Sequence, residues 1–270
     1  MLDATPSIEK LRWIMSQLRD PQTGCPWDIK QTFASIVPHT IEEAYEVADA
    51  IEQEDFSELE KELGDLLFQV IFYTQLGQEQ QRFDFDSVVA AICEKLIRRH
   101  PHVFADENLS TDSEIKANWE QEKAKERQIK NADESISMLA DIPKNLPALS
   151  QAAKIQKRCA HVGFDWHNID DVFAKIEEEV QEVKDELPLP GEPASDALSE
   201  ELGDLMFAVV NLCRHAKQDP EALLRQANKK FTQRFHQVEQ QVHASTKPFS
   251  AHSLDELEEY WQVAKSRLKK

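Results

Sequence analysis

Glycine, cysteine and long apolar runs are all scarce in this chain, and each shortage removes a class of protein. Only six of the 270 residues are glycine, against a typical ~7%, which excludes the G-x-G-x-x-G and Walker phosphate loops. Any phosphate chemistry has to proceed without them. The four cysteines, Cys25, Cys93, Cys159 and Cys213, are far apart and form no C-x-x-C, so they read as reduced thiols rather than a disulfide framework or a zinc site. Apolar runs stop at four or five residues, as in Val70 to Tyr73, whereas a membrane-spanning helix needs ~20. The first residues, MLDATPSIEKLRW, lack a basic start followed by an apolar stretch, so no secretory signal is expected and a cytoplasmic location follows. Basic residues are also short: 31 Lys and Arg face 50 Asp and Glu, a formal charge of −19, which repels the backbone of DNA or RNA. Neither polymeric nucleic acid nor a membrane is an expected partner.

What remains is 41% apolar and 8% aromatic, enough to bury a core. The apolar residues recur at intervals of three and four with no convincing alternation, which predicts an all-α protein. Helices are expected over 7–18, 41–51, 56–76, 86–99 and 113–130, then over 147–159, 170–187, 194–217, 221–243 and 253–269. The polar, proline-containing stretch 131–147 reads as a linker between domains at 1–130 and 148–270.

The two halves repeat one another. IEEAYEV (41–47) is answered by IEEEVQEV (176–183), and ELGDLLFQV (62–70) by ELGDLMFAV (201–209). In this register Glu43, Glu46, Glu62 and Asp65 match Glu179, Glu182, Glu201 and Asp204. Lys95 and Arg99 match Lys230 and Arg234, and Trp119 and Lys123 match Trp261 and Lys265. A duplicated helical unit explains this order more simply than chance.

Residues three apart on a helix share a face, so Glu62 with Asp65, and Glu201 with Asp204, present carboxylates side by side. The helix bearing Leu59, Leu63, Leu66, Leu67, Phe68, Val70, Ile71, Phe72 and Tyr73 is apolar almost all round, leaving only Glu62, Asp65 and Gln69 as a polar stripe. Such a helix is expected to be buried, and an acid carried inward must be paired, metal-bound or protonated. Glu43 and Glu46 alone read equally as solvated acids, with Thr40 and Glu43 fitting a capping box; the second copy has Ile176 where Thr40 stands, yet keeps the acidic pair. Facing carboxylates ~5 Å apart repel by about 3 kcal/mol per pair at an effective dielectric near 20. Oxygen donors without Cys or His select Mg²⁺, with Mn²⁺ as a substitute, and leave coordination for water and phosphate. A triphosphate adds further negative charge, for which Lys230, Arg234 and Lys265 are candidate cations, although Lys230 and Arg234 also fit a solvated face. Trp261 could stack on a base or fill a core. His39 and Lys175 stand four residues before Glu43 and Glu179, and the lysine is the better phosphate contact. Gly64 and Gly203, in mid-helix at a cost of ~1 kcal/mol each, imply close approach by a helix or ligand.

The pattern E-E-x-x-E followed by E-x-x-D, at Glu42, Glu43, Glu46, Glu62 and Asp65 and again at Glu178, Glu179, Glu182, Glu201 and Asp204, resembles the MazG family of nucleoside triphosphate pyrophosphohydrolases. The likeness spans nearly the whole chain, including G-C-P-W-D (24–28), R-R-H-P-H-V-F (98–104) and K-I-Q-K-R-C (154–159). It implies an all-α NTP pyrophosphatase fold, a homodimer whose helices complete each bundle, and hydrolysis of nucleoside triphosphates to monophosphate and pyrophosphate. By resemblance Glu179, Glu182, Glu201 and Asp204 are the Mg²⁺ ligands and catalytic carboxylates, while Lys175, Glu178, Glu200, Lys230, Arg234 and Trp261 contact nucleotide. The first copy departs by carrying His39 for Lys175 and Lys61 for Glu200, so the second half is expected to be the active one. Di-iron chemistry needs an E-x-x-H pair, and Asp stands in the His position both times. Two other readings are a helical dimer that binds nucleotide or protein without turnover and a dUTP-restricted pyrophosphatase.

Overall fold

The computed structural model describes residues 5–105, 110–130, 137–190, 193–245 and 247–267. Among them the chain is helical with no strand, as the three-and-four spacing of its apolar residues requires. It divides into two compact units, Met1–Ala132 and Asp133–Lys270. Residues 137–147 belong with the second: Ile142 is buried, and Arg158 Nη1 donates to the Met138 carbonyl and to Asp141 at 2.6 Å.

The first unit contains α1 (Ile8–Leu18), α2 (Phe33–Glu52), α3 (Phe56–Glu79), α4 (Phe85–Arg99), α5 (Pro101–Phe104) and α6 (Asp112–Lys130). Its frame is the α2–α3 hairpin, turned by Glu54 at φ 57° and capped by Asp55, which accepts from the Ser57 and Glu58 amides. Helix α1 lies on α3, and Met15, Ile36, Ile71, Phe72 and Leu76 form the core between these three helices. Arg19 holds Glu79 at 2.6 Å, tying the end of α1 to the end of α3. Gly24 is required where the chain leaves α1, because a Cβ there would meet the Leu18 carbonyl and come within 2.6 Å of that of Asp20. This packing, with Asp28 buried and its carbonyl accepting from Arg19 at 2.5 Å, accounts for the G-C-P-W-D stretch.

The second unit contains α7 (Ala148–His161), α8 (Ile169–Asp185), α9 (Asp196–His215), α10 (Pro220–Ala244) and α11 (Leu254–Arg267). The α8–α9 hairpin repeats α2–α3, α7 lies on α9 as α1 lies on α3, and α10 packs on α11 and touches α7 and α9.

Two expectations are corrected. Helix α2 starts at Phe33 rather than Ile41 and carries Pro38 inside it. Its capping box joins Thr32 to Ser35, while Thr40 lies in mid-helix with Oγ1 donating to the Ile36 carbonyl at 3.1 Å and 2.9 Å from the Tyr73 hydroxyl. The Thr40–Glu43 cap is therefore absent, which removes the structural competitor for Glu43. Helix α3 is also less covered than its all-round apolar character predicts. Leu63, Leu67 and Val70 are 49%, 40% and 39% exposed, and Leu202, Met206, Phe207 and Val209 of α9 are similarly open. Each hairpin thus keeps apolar side chains that its own unit does not cover, and nothing lies within 4 Å of a Cβ placed on Gly64 or Gly203.

Candidate carboxylate site

Asn168 caps α8 by accepting from the Asp171 amide, and Ser195 caps α9 through Leu198. From these starts the helical repeat puts Lys175, Glu179 and Glu182 along one face of α8 and Glu201, Asp204, Ala208 and Asn211 along one face of α9. The hairpin presses the faces together: oxygens of Glu179, Glu182 and Glu201 all lie within 4.8 Å of one another. In the first unit Glu43, Glu62 and Asp65 converge equally closely.

The crowding is legible in the electrostatics. Desolvation, then the charges of Glu182, Glu179 and Asp204, raise the proton affinity of Glu201 above the usual carboxylate range. Desolvation raises Glu43 too, followed by Asp65 and Glu46, and Glu62 rises through desolvation and Glu46. Glu46 and Asp204 thus act on their clusters although their oxygens fall outside the tightest triads.

Lys175 is the one cation at the second cluster among the described pairs, at 2.8 Å from Glu178 and 2.7 Å from Glu179, and both bonds raise its proton affinity. The first copy has no such tether: His39 lies 3.7 Å from Glu42 and edge-on to Trp27, and Lys61 turns to Glu58 at 2.6 Å. Glu179 is only 4% exposed, and its Oε2 is buried with no hydrogen-bond donor. A desolvated oxygen without a donor costs several kcal/mol unless a cation meets it. An all-carboxylate donor set around it fits a hard divalent ion such as Mg²⁺ or Mn²⁺.

The remaining expected contacts form separate groups. Glu178 and Glu200 are exposed on α8 and α9. Arg234 sits 6.0 Å over the Trp261 ring, which also meets Phe231 at 5.0 Å, so α10 and α11 present cation and aromatic together, with Lys230 exposed on α10 and Lys265 partly buried on α11. Arg234 Nε is buried without a partner. In the first copy Arg99 grips Glu126 at 2.5 Å, Lys123 pairs with Glu120 at 3.0 Å, Trp119 packs edge-on to His100 and Lys95 is exposed. The R-R-H-P-H-V-F stretch is thereby used to dock α6.

Beside the second cluster lies a cleft of about 680 Å³ that sequence reasoning missed. Lys175, Glu179 and Asp204 stand among its lining residues, as do Gln156, Trp166, Phe207 and Asn211, whereas Lys230, Arg234, Trp261 and Lys265 do not line it. A signal was present: Gly24 and Trp27 precede Gly163 and Trp166 by 139 residues, the same offset as Glu62 to Glu201. Burial pushes the Asp165 carboxyl in this wall upward, but bonds from Arg214 and His215 outweigh it and hold the group below its ordinary value.

The sequence pattern of the MazG nucleotide pyrophosphohydrolase domain matches the chain twice, at residues 31–104 and 168–243, each match enclosing one hairpin and one carboxylate cluster. The chain belongs to the MazG family. It is 52% identical to a nucleoside triphosphate pyrophosphohydrolase of Escherichia coli K12 over 96% of this chain and 97% of the relative. It is 42% identical to a nucleoside triphosphate pyrophosphohydrolase/pyrophosphatase MazG of Thermotoga maritima over 98% of each. A crystal structure of a mazG-related protein from Thermotoga maritima overlaps 43% of this chain and 99% of its own, at 28% identity and a TM-score of 0.38. Both MazG matches leave out α7 and Trp166, so the far wall of the cleft comes from outside the matched stretch.

Proposed function

We propose that this chain hydrolyses nucleoside triphosphates to the monophosphate and pyrophosphate, and that the second unit is the working copy. The observation that carries the reading is the buried, donorless Oε2 of Glu179 set against Glu182 and Glu201. It is supported by membership of the MazG family and by the pyrophosphohydrolase name of the Escherichia coli relative. Glu179, Glu182, Glu201 and Asp204 would hold Mg²⁺, with Mn²⁺ as a substitute. Bound there, the ion would screen phosphate charge and acidify a water.

The chain's own groups supply the rest. One of the carboxylates accepts the proton of the attacking water. The water oxygen bonds to the α-phosphorus, the bond from that phosphorus to the β-bridging oxygen breaks, and pyrophosphate leaves in line. Lys175 places positive charge at the cluster's edge, and Lys230, Arg234 and Lys265 add charge for the β and γ phosphates. The open apolar side chains of α3 and α9 suit a protein partner, and a second copy of the chain would cover them as a homodimer. The test is product analysis of the full chain with each of the common ribo- and deoxyribonucleoside triphosphates, with Mg²⁺ and with chelator. Monophosphate and pyrophosphate in equal amounts, with Mg²⁺ only, are expected; orthophosphate release or no turnover would overturn the proposal.

A further inference from the structure

The cleft beside the second cluster is walled on one side by the turn that follows α7. Gly163, at φ 86°, and Phe164 donate their amides to the Ala160 and Cys159 carbonyls at 3.0 Å each, which ends the helix and starts the turn. The far end of the turn is held from α9. Arg214 Nη1 donates to Asp165 Oδ2 at 2.9 Å, Arg214 Nη2 donates to Asp165 Oδ1, and His215 Nε2 meets the same Oδ1 at 3.1 Å. A carboxylate only accepts, so this ring nitrogen carries the hydrogen. Asp165 Oδ1 also accepts the Trp166 amide at 2.9 Å, so the clip fixes the backbone where Trp166 begins. None of the three side chains is more than 25% exposed. Arg214 is committed to this arrangement: Nε and Nη2 donate to Asn211 Oδ1 at 3.1 and 2.7 Å while Nη1 and Nη2 hold Asp165 as a two-pronged pair. Although Arg214 lines the cleft, its donors are turned to the protein, so it braces the wall rather than meeting a phosphate.

We propose that Asp165, Arg214 and His215 are positioning residues for the reaction of the second unit: their clip holds the turn from Gly163 to Trp166 against α9 and so keeps the cleft beside Glu179 and Asp204 in the shape that receives substrate. The proposal rests on the reading of that cluster as a nucleoside triphosphate site. The three residues act through the wall that the turn builds, not on the reacting phosphorus. Loss of the clip therefore weakens substrate docking while the carboxylates, placed by the α8–α9 hairpin itself, keep their arrangement.

The duplication separates the clip from the fold. In the 139-residue register the glycine and tryptophan of the turn are kept, as Gly24 and Trp27, but Pro26, Gln75 and Leu76 stand where the second copy has Asp165, Arg214 and His215. The first unit secures its turn differently, with Arg19 donating to the Asp28 carbonyl and pairing with Glu79. Arg158, which answers Arg19 in this register, is turned instead to Asp141. A helical unit of this kind thus folds without the clip, and the clip belongs to the copy expected to work.

The test uses the full chain and measures KM and kcat for ATP with Mg²⁺, equilibrium affinity for ATP, Mn²⁺ binding by calorimetry, and tryptophan emission. Asp165→Asn, which keeps the shape and removes the charge, should raise KM about tenfold or more while kcat stays within about threefold, and Mn²⁺ affinity should not change. Arg214→Gln should do the same, and the double variant should be no worse than either single one, because both substitutions break one clip. Asp165→Asn should also shift tryptophan emission, and the shift should vanish when Trp166→Phe is added. Additive effects of the two substitutions, an unchanged KM, or parallel losses of kcat and Mn²⁺ affinity, as from a general loosening of the unit, would overturn the proposal. The two readings fail separately: if the natural chain turns over no triphosphate the hydrolase is lost, and the emission shift with a non-additive fall in ATP affinity still decides the clip, whereas turnover with a KM untouched by Asp165→Asn removes only the clip.

Discussion

Glu201 stands where neighbouring carboxylates crowd it. Desolvation and four neighbouring acids, Glu182, Glu179, Asp204 and Glu200, raise its proton affinity, so between the ordinary carboxylate value and its own raised value the folded chain holds more protons than the unfolded one. Stability therefore falls as pH rises through that window. Glu201→Gln, which removes the charge and keeps the shape, should raise the thermal midpoint of the metal-free chain at pH 7. The same substitution should cancel the stabilisation produced by added Mg²⁺ and lower turnover by ~100-fold or more, the upper cost of losing groups that merely orient metal ligands. Scanning calorimetry with and without Mg²⁺ checks the first pair, and a midpoint that falls without metal would refute the repulsion. The acidic positions were legible in the sequence, because three-residue spacing on a helix is a local property and the E-L-G-D stretch states it twice. Gln156 was not, since an uncharged amide inside K-I-Q-K-R-C looks like any helix residue until the Phe207 carbonyl claims its nitrogen.

At the level of the element, α6 is held to α4 by charge. Arg98 and Arg99 both reach Glu126, at 2.5 Å each, and the hydrogen bond from Arg99 leads in holding its carboxyl down at about 2, against an ordinary 4.5. A depressed folded value means that the contribution is complete above the unfolded value and is lost as pH falls from 4.5 toward 2. Because the group is partly solvated, about 1 kcal/mol is the expected size. Glu126→Gln should lower the unfolding free energy at pH 7 by that amount, with the gap from the natural chain narrowing below pH 4.5; denaturant titrations across pH measure it, and a constant gap would contradict the assignment. Element boundaries were read well where capping side chains announce them, as Asp84 does for α4 and Ser195 for α9. The start of α2 was misread because Thr40 and Glu43 have the spacing of a capping box, whereas Thr32 and Ser35 form the real one eight residues earlier.

For the whole molecule the open faces of the two hairpins are the main unsettled energy. Met206 is 58% exposed beside Leu202 and Phe207, and burying such a face typically yields ~25 cal/mol per Å². Met206→Asp together with Leu67→Asp should convert a sedimenting dimer to a monomer without altering the helical circular dichroism; an unchanged sedimentation coefficient would remove the homodimer. No helix among the described residues is long and apolar enough to cross a membrane. The sequence alone determined the helical class, the duplication and the acidic register, all of which depend on periodicity within a few turns of chain. Tertiary structure alone decided that Glu179 and Gln156 each keep a buried oxygen without a donor. The reason is that burial is set by residues far away in the chain: Gln156 answers to Phe207 and Phe72 to Met15, and no local pattern records either encounter.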